Sequence, residues 1–247
     1  MDLLVPDWPA PARVQALHSL RSGGVSAAPY DSLNLGDHVG DEAAAVQRNR
    51  ALLAARLGAE PVFMQQVHGT AVERLPSAQA VPVADACMSL APGVACTIMV
   101  ADCLPVLFCD TAGRAVAAAH AGWRGLAAGV LENTVAALRR AVPQAQWLAW
   151  LGPCIGPEAF EVGDEVRAAF LAQSTAAAAC FRPHTPGKWL ADLPALARLR
   201  LAGLALQGIH GNDSSAPWCT VSDSSRFFSH RRDRVSGRMA ACIWLSP

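Results

Sequence analysis

The feature that most constrains this chain is a succession of short, wholly apolar runs in its middle: Ala95 to Val100, Val106 to Cys109 and Ala115 to Ala119, each stopped by Pro, Asp or Gly. A strand with one wet face alternates polar and apolar residues. A run without alternation is buried on both faces, so other layers must cover this sheet from both sides. Trp147 to Leu151 repeats the pattern, and Val14 to Leu20, Val62 to Val67, Ala71 to Leu75 and Arg238 to Leu245 read as further strands. Helices are expected from Ala43 to Leu57, capped by Asp41 and stopped by Gly58, from Gly122 to Gly125 onward to about Arg140, from Gly163 to about Ala179, and from Pro194 to Leu206. The irregular alternation predicts an α/β (α+β) fold of layered mixed β-sheets flanked by helices, in a single domain over residues 1–247. With 52% hydrophobic and only 16% charged residues, the chain has the material to fill such a core.

Twenty Lys+Arg balance twenty Asp+Glu, which leaves no basic field to gather nucleic acid. The first residues, MDLLVPDWPAPAR, carry acids and prolines where a secretion signal has a basic start and an apolar run, and no later segment reaches the length of a membrane span. The expectation is a cytoplasmic protein, monomer or homodimer, without nucleic-acid or membrane partners. Eight cysteines lie in apolar runs with no CxxC pair, so most read as small, reduced, buried hydrophobes.

Three segments place a metal-ligating side chain at the end of a strand: Gln66-Val67-His68-Gly69, where His68 sits at a tight hairpin-like corner, Ala101-Asp102-Cys103-Leu104-Pro105, and Ala119-His120-Ala121-Gly122. Two imidazoles and one thiolate match the three-ligand zinc pattern that leaves a fourth position open. Asp102 is placed either to orient an imidazole or to cap the turn at Pro105. The same residues also allow a metal-free hydrolase with Cys103 as nucleophile and His120 as base.

These segments sit in a wider pattern. Arg21-Ser22-Gly23-Gly24-Val25-Ser26, Ser32-Leu33-Asn34-Leu35-Gly36, Asn49-Arg50, QVHG at 66 to 69, ADCLPV at 101 to 106, HAGWRG at 120 to 125, LGPCIG at 151 to 156, Cys219-Thr220 and Phe227-Phe228-Ser229-His230-Arg231-Arg232 together resemble the laccase-domain, or multicopper polyphenol oxidase-like, family. That family includes bacterial purine nucleoside phosphorylases and proteins called peptidoglycan editing factors. The resemblance covers almost the whole chain. It implies a cysteine-hydrolase-like layered fold, and one zinc ion, in preference to copper, at His68, Cys103 and His120, which would also be the catalytic residues. The activity implied is phosphorolysis of adenosine, inosine and S-methyl-5′-thioadenosine to free base and (methylthio)ribose 1-phosphate, with deamination of adenosine to inosine. His230 stands where Tyr is more usual, and Val235-Ser236 where Thr is.

Purine nucleosides and phosphate would then be the partners. The anion-binding candidates are Arg21 with its Gly-rich turn, Arg124 in the first turn of a helix, and the Arg231-Arg232 pair; Asn34 is a candidate for a ribose hydroxyl. Asp85, Asp102 and Glu161 are candidate proton donors. His18, His38, His184 and His210 read as structural, and Trp123 as core. The competing readings are a peptidoglycan-precursor hydrolase with a Cys/His site, a copper-dependent polyphenol oxidase, and a protein that binds purine nucleotide without chemistry.

Overall fold

The computed structural model describes residues 1–247. A five-stranded sheet runs in the order β1 (Leu3–Leu4), β2 (Val14–Ser19), β14 (Met239–Leu245), β6 (Val94–Val100), β3 (Glu60–Val62). A six-stranded sheet runs β13 (Gly208–Gly211), β9 (Trp147–Leu151), β7 (Leu104–Asp110), β8 (Val116–Ala121), β5 (Ala86–Ser89), β4 (Val72–Leu75). Both are mixed: β3 joins β6, β4 joins β5 and β13 joins β9 in parallel, and the other pairs are antiparallel. A small third sheet, β10 (Glu161–Gly163), β12 (Lys188–Ala191), β11 (Phe181–Pro183), lies to one side.

The two large sheets pack face to face, and helices close both outer surfaces. Helix α1 (Ala43–Leu57) packs outside the five-stranded sheet through Leu53 and Leu57 against Leu17, Ala95 and Trp244. Helices α2 (Trp123–Ala128), α3 (Val130–Ala141) and α5 (Leu193–Ala202) close the six-stranded sheet, with α4 (Asp164–Leu171) beside them and the one-turn α6 (His230–Asp233) near the C-terminus. This explains the unbroken apolar runs. On β7, Leu104, Val106 and Phe108 meet the helices while Leu107 and Cys109 fill the seam between sheets; on β9, Trp147, Ala149 and Leu151 face the helices and Leu148 and Trp150 the seam. Both faces of each strand are dry, as the pattern requires.

Several boundaries differ from expectation. The 62–67 segment is strand only to Val62; the chain then leaves the five-stranded sheet and enters the six-stranded one at Val72, so His68 lies on a crossing loop and not on a hairpin. The helix after Gly122 breaks at Gly129, whose φ of 101° belongs to the left-handed region, giving α2 and α3. The helix expected to reach Ala179 ends at Leu171 and is replaced by a 3-10 turn over Thr175–Cys180, with Ser174 accepting from the Ala176 amide. Asp41 does not cap α1: its carboxylate binds Ser26, Asn34 and the Glu42 amide. No helix is long and apolar enough to cross a membrane.

Candidate functional site

His68, Cys103 and His120 come together where the chain passes between the two large sheets. Cys103 occupies the turn joining β6 to β7, a turn that Asp102 enters with φ 90°. His120 lies within β8 on the face that carries Val116 and Ala118 into the seam, and His68 arrives on the crossing loop with φ 60°. Their three donor atoms all lie within 4.8 Å of one another, and Cys103 Sγ is 3.8 Å from His68 Nε2. A tetrahedral zinc ion sets such donors about 3.3–3.6 Å apart, so shifts of roughly 1 Å close this set on an ion. His68 is exposed, Cys103 half-buried and His120 buried, which leaves one side of the group open to the cleft.

Asp85 at the start of β5 organises the group. Its buried carboxylate accepts from three consecutive amides of the crossing loop, Val67 at 3.1 Å, His68 at 2.9 Å and Gly69 at 2.6 Å, and lies 2.8 Å from His120 Nδ1. The last bond fixes the imidazole so that Nε2 faces Cys103 and His68. Burial by itself would raise the Asp85 carboxyl, but the His120 and amide hydrogen bonds hold it below the usual carboxylate range. An ionised carboxylate with its lone pairs filled does not serve as a general acid, so the expectation for Asp85 is corrected to a positioning role. Gln66 adds a second brace, donating to the Met99 carbonyl at 2.9 Å and accepting from the Met99 amide at 2.8 Å.

Burial would raise the Cys103 thiol, but the charge of His120 and hydrogen bonds from His120 and His68 bring it down to about 6; burial would lower His120, but the Cys103 thiolate and Asp85 push it up to about 9. In the free protein at neutral pH the pair is therefore thiolate and imidazolium. Metal binding needs a neutral imidazole, so it must expel the His120 proton. The expected result is an affinity that rises about tenfold per pH unit between about 6 and 9, flattens above, and falls more steeply below about 6 as Cys103 also takes up a proton. Metal titration across that range checks it; an affinity independent of pH would contradict it.

Gly122 makes the cradle possible. A Cβ there would stand 2.9 Å from Cys103 Sγ and 3.0 Å from His68 Cδ2. Its φ of −64° suits any residue, so only the contact excludes a side chain. Gly122→Ala is expected to keep the fold and spread the donors, lowering metal affinity about tenfold or more; wild-type affinity in a metal titration would refute this.

Two cavities flank the group and share Ala101, Cys103 and His230 as walls. One, about 390 Å³, presents His68, Cys103 and His120 together with Gln66, His230 and Arg238. The other, about 200 Å³, is lined by the apolar Trp123, Ile155, Phe160 and Leu193 together with Arg231 and Arg234. Arg231 holds its place by donating its amide to Asp102 and Nη1 to the Glu161 carbonyl at 3.0 Å. Trp123 packs against the core as expected and, being half-buried, also lines the smaller cavity, and Arg124 is exposed with its guanidinium 4.4 Å over the Trp123 ring.

Other candidates fall elsewhere. Arg21 spends its guanidinium on the Asp31 and Ser224 carbonyls and stacks on Phe228, while the amides of Gly23 and Gly24 are taken by Ser32 Oγ; none of them lines either cavity. Asn34 is fully buried and bonded to Gly36, Arg238 and Asp41. Arg232 is held by Asp233 and by the carbonyls of Thr220, Val221 and Phe227. Asp102 orients no imidazole: it accepts from Thr220 Oγ1 at 2.6 Å and from the Arg231 amide at 2.7 Å. Glu161 turns its carboxylate to His184. His38, expected to be structural, lines the larger cavity, as do Gln66, His230 and Arg238, which sequence reasoning had not marked as site residues; the only signal for Gln66 was its place two residues before His68.

A family model described as multi-copper polyphenol oxidoreductase laccase matches residues 15–246. Purine nucleoside phosphorylase PA4543 of Pseudomonas aeruginosa is 56% identical over 244 residues, 98% of each chain, and purine nucleoside phosphorylase YfiH of Escherichia coli is 53% identical over 246 residues, again 98% of each. The crystal structure of Neisseria meningitidis protein NMB0706 superposes with a TM-score of 0.93 at 49% identity over the full length of both chains.

Proposed function

The chain belongs to the multi-copper polyphenol oxidoreductase laccase family, and from that premise we propose that it is a zinc-dependent purine nucleoside enzyme, cleaving adenosine, inosine and S-methyl-5′-thioadenosine with phosphate and deaminating adenosine to inosine. The observation that carries this reading is that His68, Cys103 and His120 face one cavity while Cys103 also lines the apolar chamber beside it. The names of the Pseudomonas and Escherichia relatives support the substrate class. One three-ligand group of nitrogen and sulfur donors suits a single zinc ion better than a multicopper set.

When bound, the ion would supply Lewis acidity at its open coordination position. The rest is done by the chain. Trp123, Ile155, Phe160 and Leu193 seat a flat purine. Arg231, already fixed through the Glu161 and Ala159 carbonyls, keeps Nη2 for a phosphate oxygen and holds that nucleophile against the anomeric carbon. With Asp85 and Asp102 bonded inward, Glu161 turned to His184 and Cys103 assigned to the metal, His230 is the side chain left on both cavity walls to exchange a proton with the purine.

Phosphate use and water use separate on Arg231. Arg231→Ala is expected to weaken ribose 1-phosphate formation by roughly 1.5–3 kcal/mol, the value of a charge-assisted hydrogen bond, while inosine formation from adenosine falls much less. Adenine and inosine followed in one mixture across a phosphate titration decide the matter. Equal loss of both products would withdraw the phosphate assignment from Arg231.

A further inference from the structure

With the purine in the smaller apolar chamber, the ribose and its 5′ substituent fall to the cavity facing His68, Cys103 and His120. Beyond it, sharing His38 and Gln66 as a wall, lies a further cavity of about 430 Å³ that neither phosphorolysis nor deamination of a simple nucleoside would use. It holds the Asn49-Arg50 motif's second residue. Asn49 is buried and bonds Val25, Ser26 and the Ser32 and Asn34 carbonyls, a purely architectural role, but Arg50 faces the cavity.

Arg50 is pre-set: Nε donates to the Leu35 carbonyl at 2.9 Å, the guanidinium lies 4.0 Å over the Phe63 ring, and Nη2 stands 3.2 Å from Asp37 Oδ2. The cavity thus offers a fixed cation and an exposed carboxylate side by side, with the Gln65 and Gln66 side chains on the same wall. A phosphate ester reaching Arg50 would meet the Asp37 charge at the same place. A zwitterion carrying carboxylate and ammonium would meet a partner for each.

We infer that this cavity is a distal subsite for the amino-acid end of a 5′-substituted purine nucleoside, so that the substrate range extends to nucleosides bearing a zwitterionic amino-acid tail. The inference builds on the purine nucleoside reading above. Arg50 and Asp37 contact the tail and take no part in cleavage.

The test compares two probes that share the nucleoside and the 5′ thioether, S-adenosyl-L-homocysteine and S-methyl-5′-thioadenosine, by calorimetric binding and by base release with the metal-loaded protein in the presence of inorganic phosphate. The expected result is about tenfold or greater preference for the tailed probe, lost in Asp37→Asn and in Arg50→Gln, with the methylthio probe as the internal reference. Asp37 is largely exposed, so its amide variant keeps the inference testable if Arg50→Gln fails to fold. Equal binding of both probes by wild type, or a preference that survives Asp37→Asn, overturns the subsite while leaving nucleoside cleavage standing. Failure of the tailed probe alone overturns the subsite; failure of both probes to bind and react overturns the nucleoside reading itself, and the subsite with it.

Discussion

Alanine in place of Cys103 is expected to leave a folded protein without bound metal and without nucleoside turnover. Cys103 sits on a turn outside the regular strands and is half-buried, so its removal costs little packing. What it removes is the one anionic donor of the three and the partner that, with Asp85, sustains the charge on His120. Two imidazoles alone hold zinc much more weakly, and the loss should exceed the 10–100-fold typical of losing a partner that only supports a ligand. Metal content by elemental analysis, circular dichroism and base release from adenosine read the three consequences separately. His68→Ala should behave likewise, while His120→Ala should lose metal and activity and, by leaving the buried Asp85 carboxylate without its imidazole, stability as well. A Cys103→Ala protein that keeps its metal would move the centre elsewhere; one that loses activity while wild type never held metal would favour the cysteine-nucleophile hydrolase.

Asp85→Asn is the second substitution with a large expected effect, although Asp85 is absent from the donor set. Each of its oxygens serves two donors: Oδ1 the His68 amide and His120 Nδ1, Oδ2 the Val67 and Gly69 amides. An asparagine turns one of those acceptors into a donor, so whichever way the amide faces, two N–H groups oppose an N–H. The charge that stabilises imidazolium is also gone. Breaking a buried, hydrogen-bonded charge pair typically costs about 3–5 kcal/mol of stability, and losing the orienting bond should lower metal affinity about 10–100-fold. Denaturant unfolding and metal titration measure the two losses. Wild-type affinity in a stable Asp85→Asn protein would show that the crossing loop and His120 find their places without it.

The sequence carried the layered fold well because its strands are buried on both faces: β7 and β9 could be read as dry strands without knowing which side met helix and which met sheet. The convergence of His68, Cys103 and His120 into one group that could hold a metal was also legible, since each member falls where an apolar run breaks or is about to break. The arginines were not. Whether a guanidinium is free depends on carbonyls far along the chain; Arg21 is satisfied by Ser224, 203 residues away, and no local pattern announces it. Asp85 was misassigned for a related reason. It lies 17 residues after His68 and 35 before His120, and only the placing of β5 between β4 and β8 brings its carboxylate to both. Asn34 looked like a ribose contact because its polar side chain stands among leucines, yet that setting is where a buried amide is most needed to satisfy backbone groups.

What the wild-type protein makes from adenosine decides the proposed function. Zinc-loaded protein incubated with adenosine and phosphate should release free base, adenine plus hypoxanthine, and ribose 1-phosphate in equal amounts, the ribose 1-phosphate should vanish when phosphate is omitted, and a chelator that strips the metal should stop the reaction. Adenosine returned unchanged by protein carrying one zinc per chain, with phosphate present, would contradict the proposed function directly.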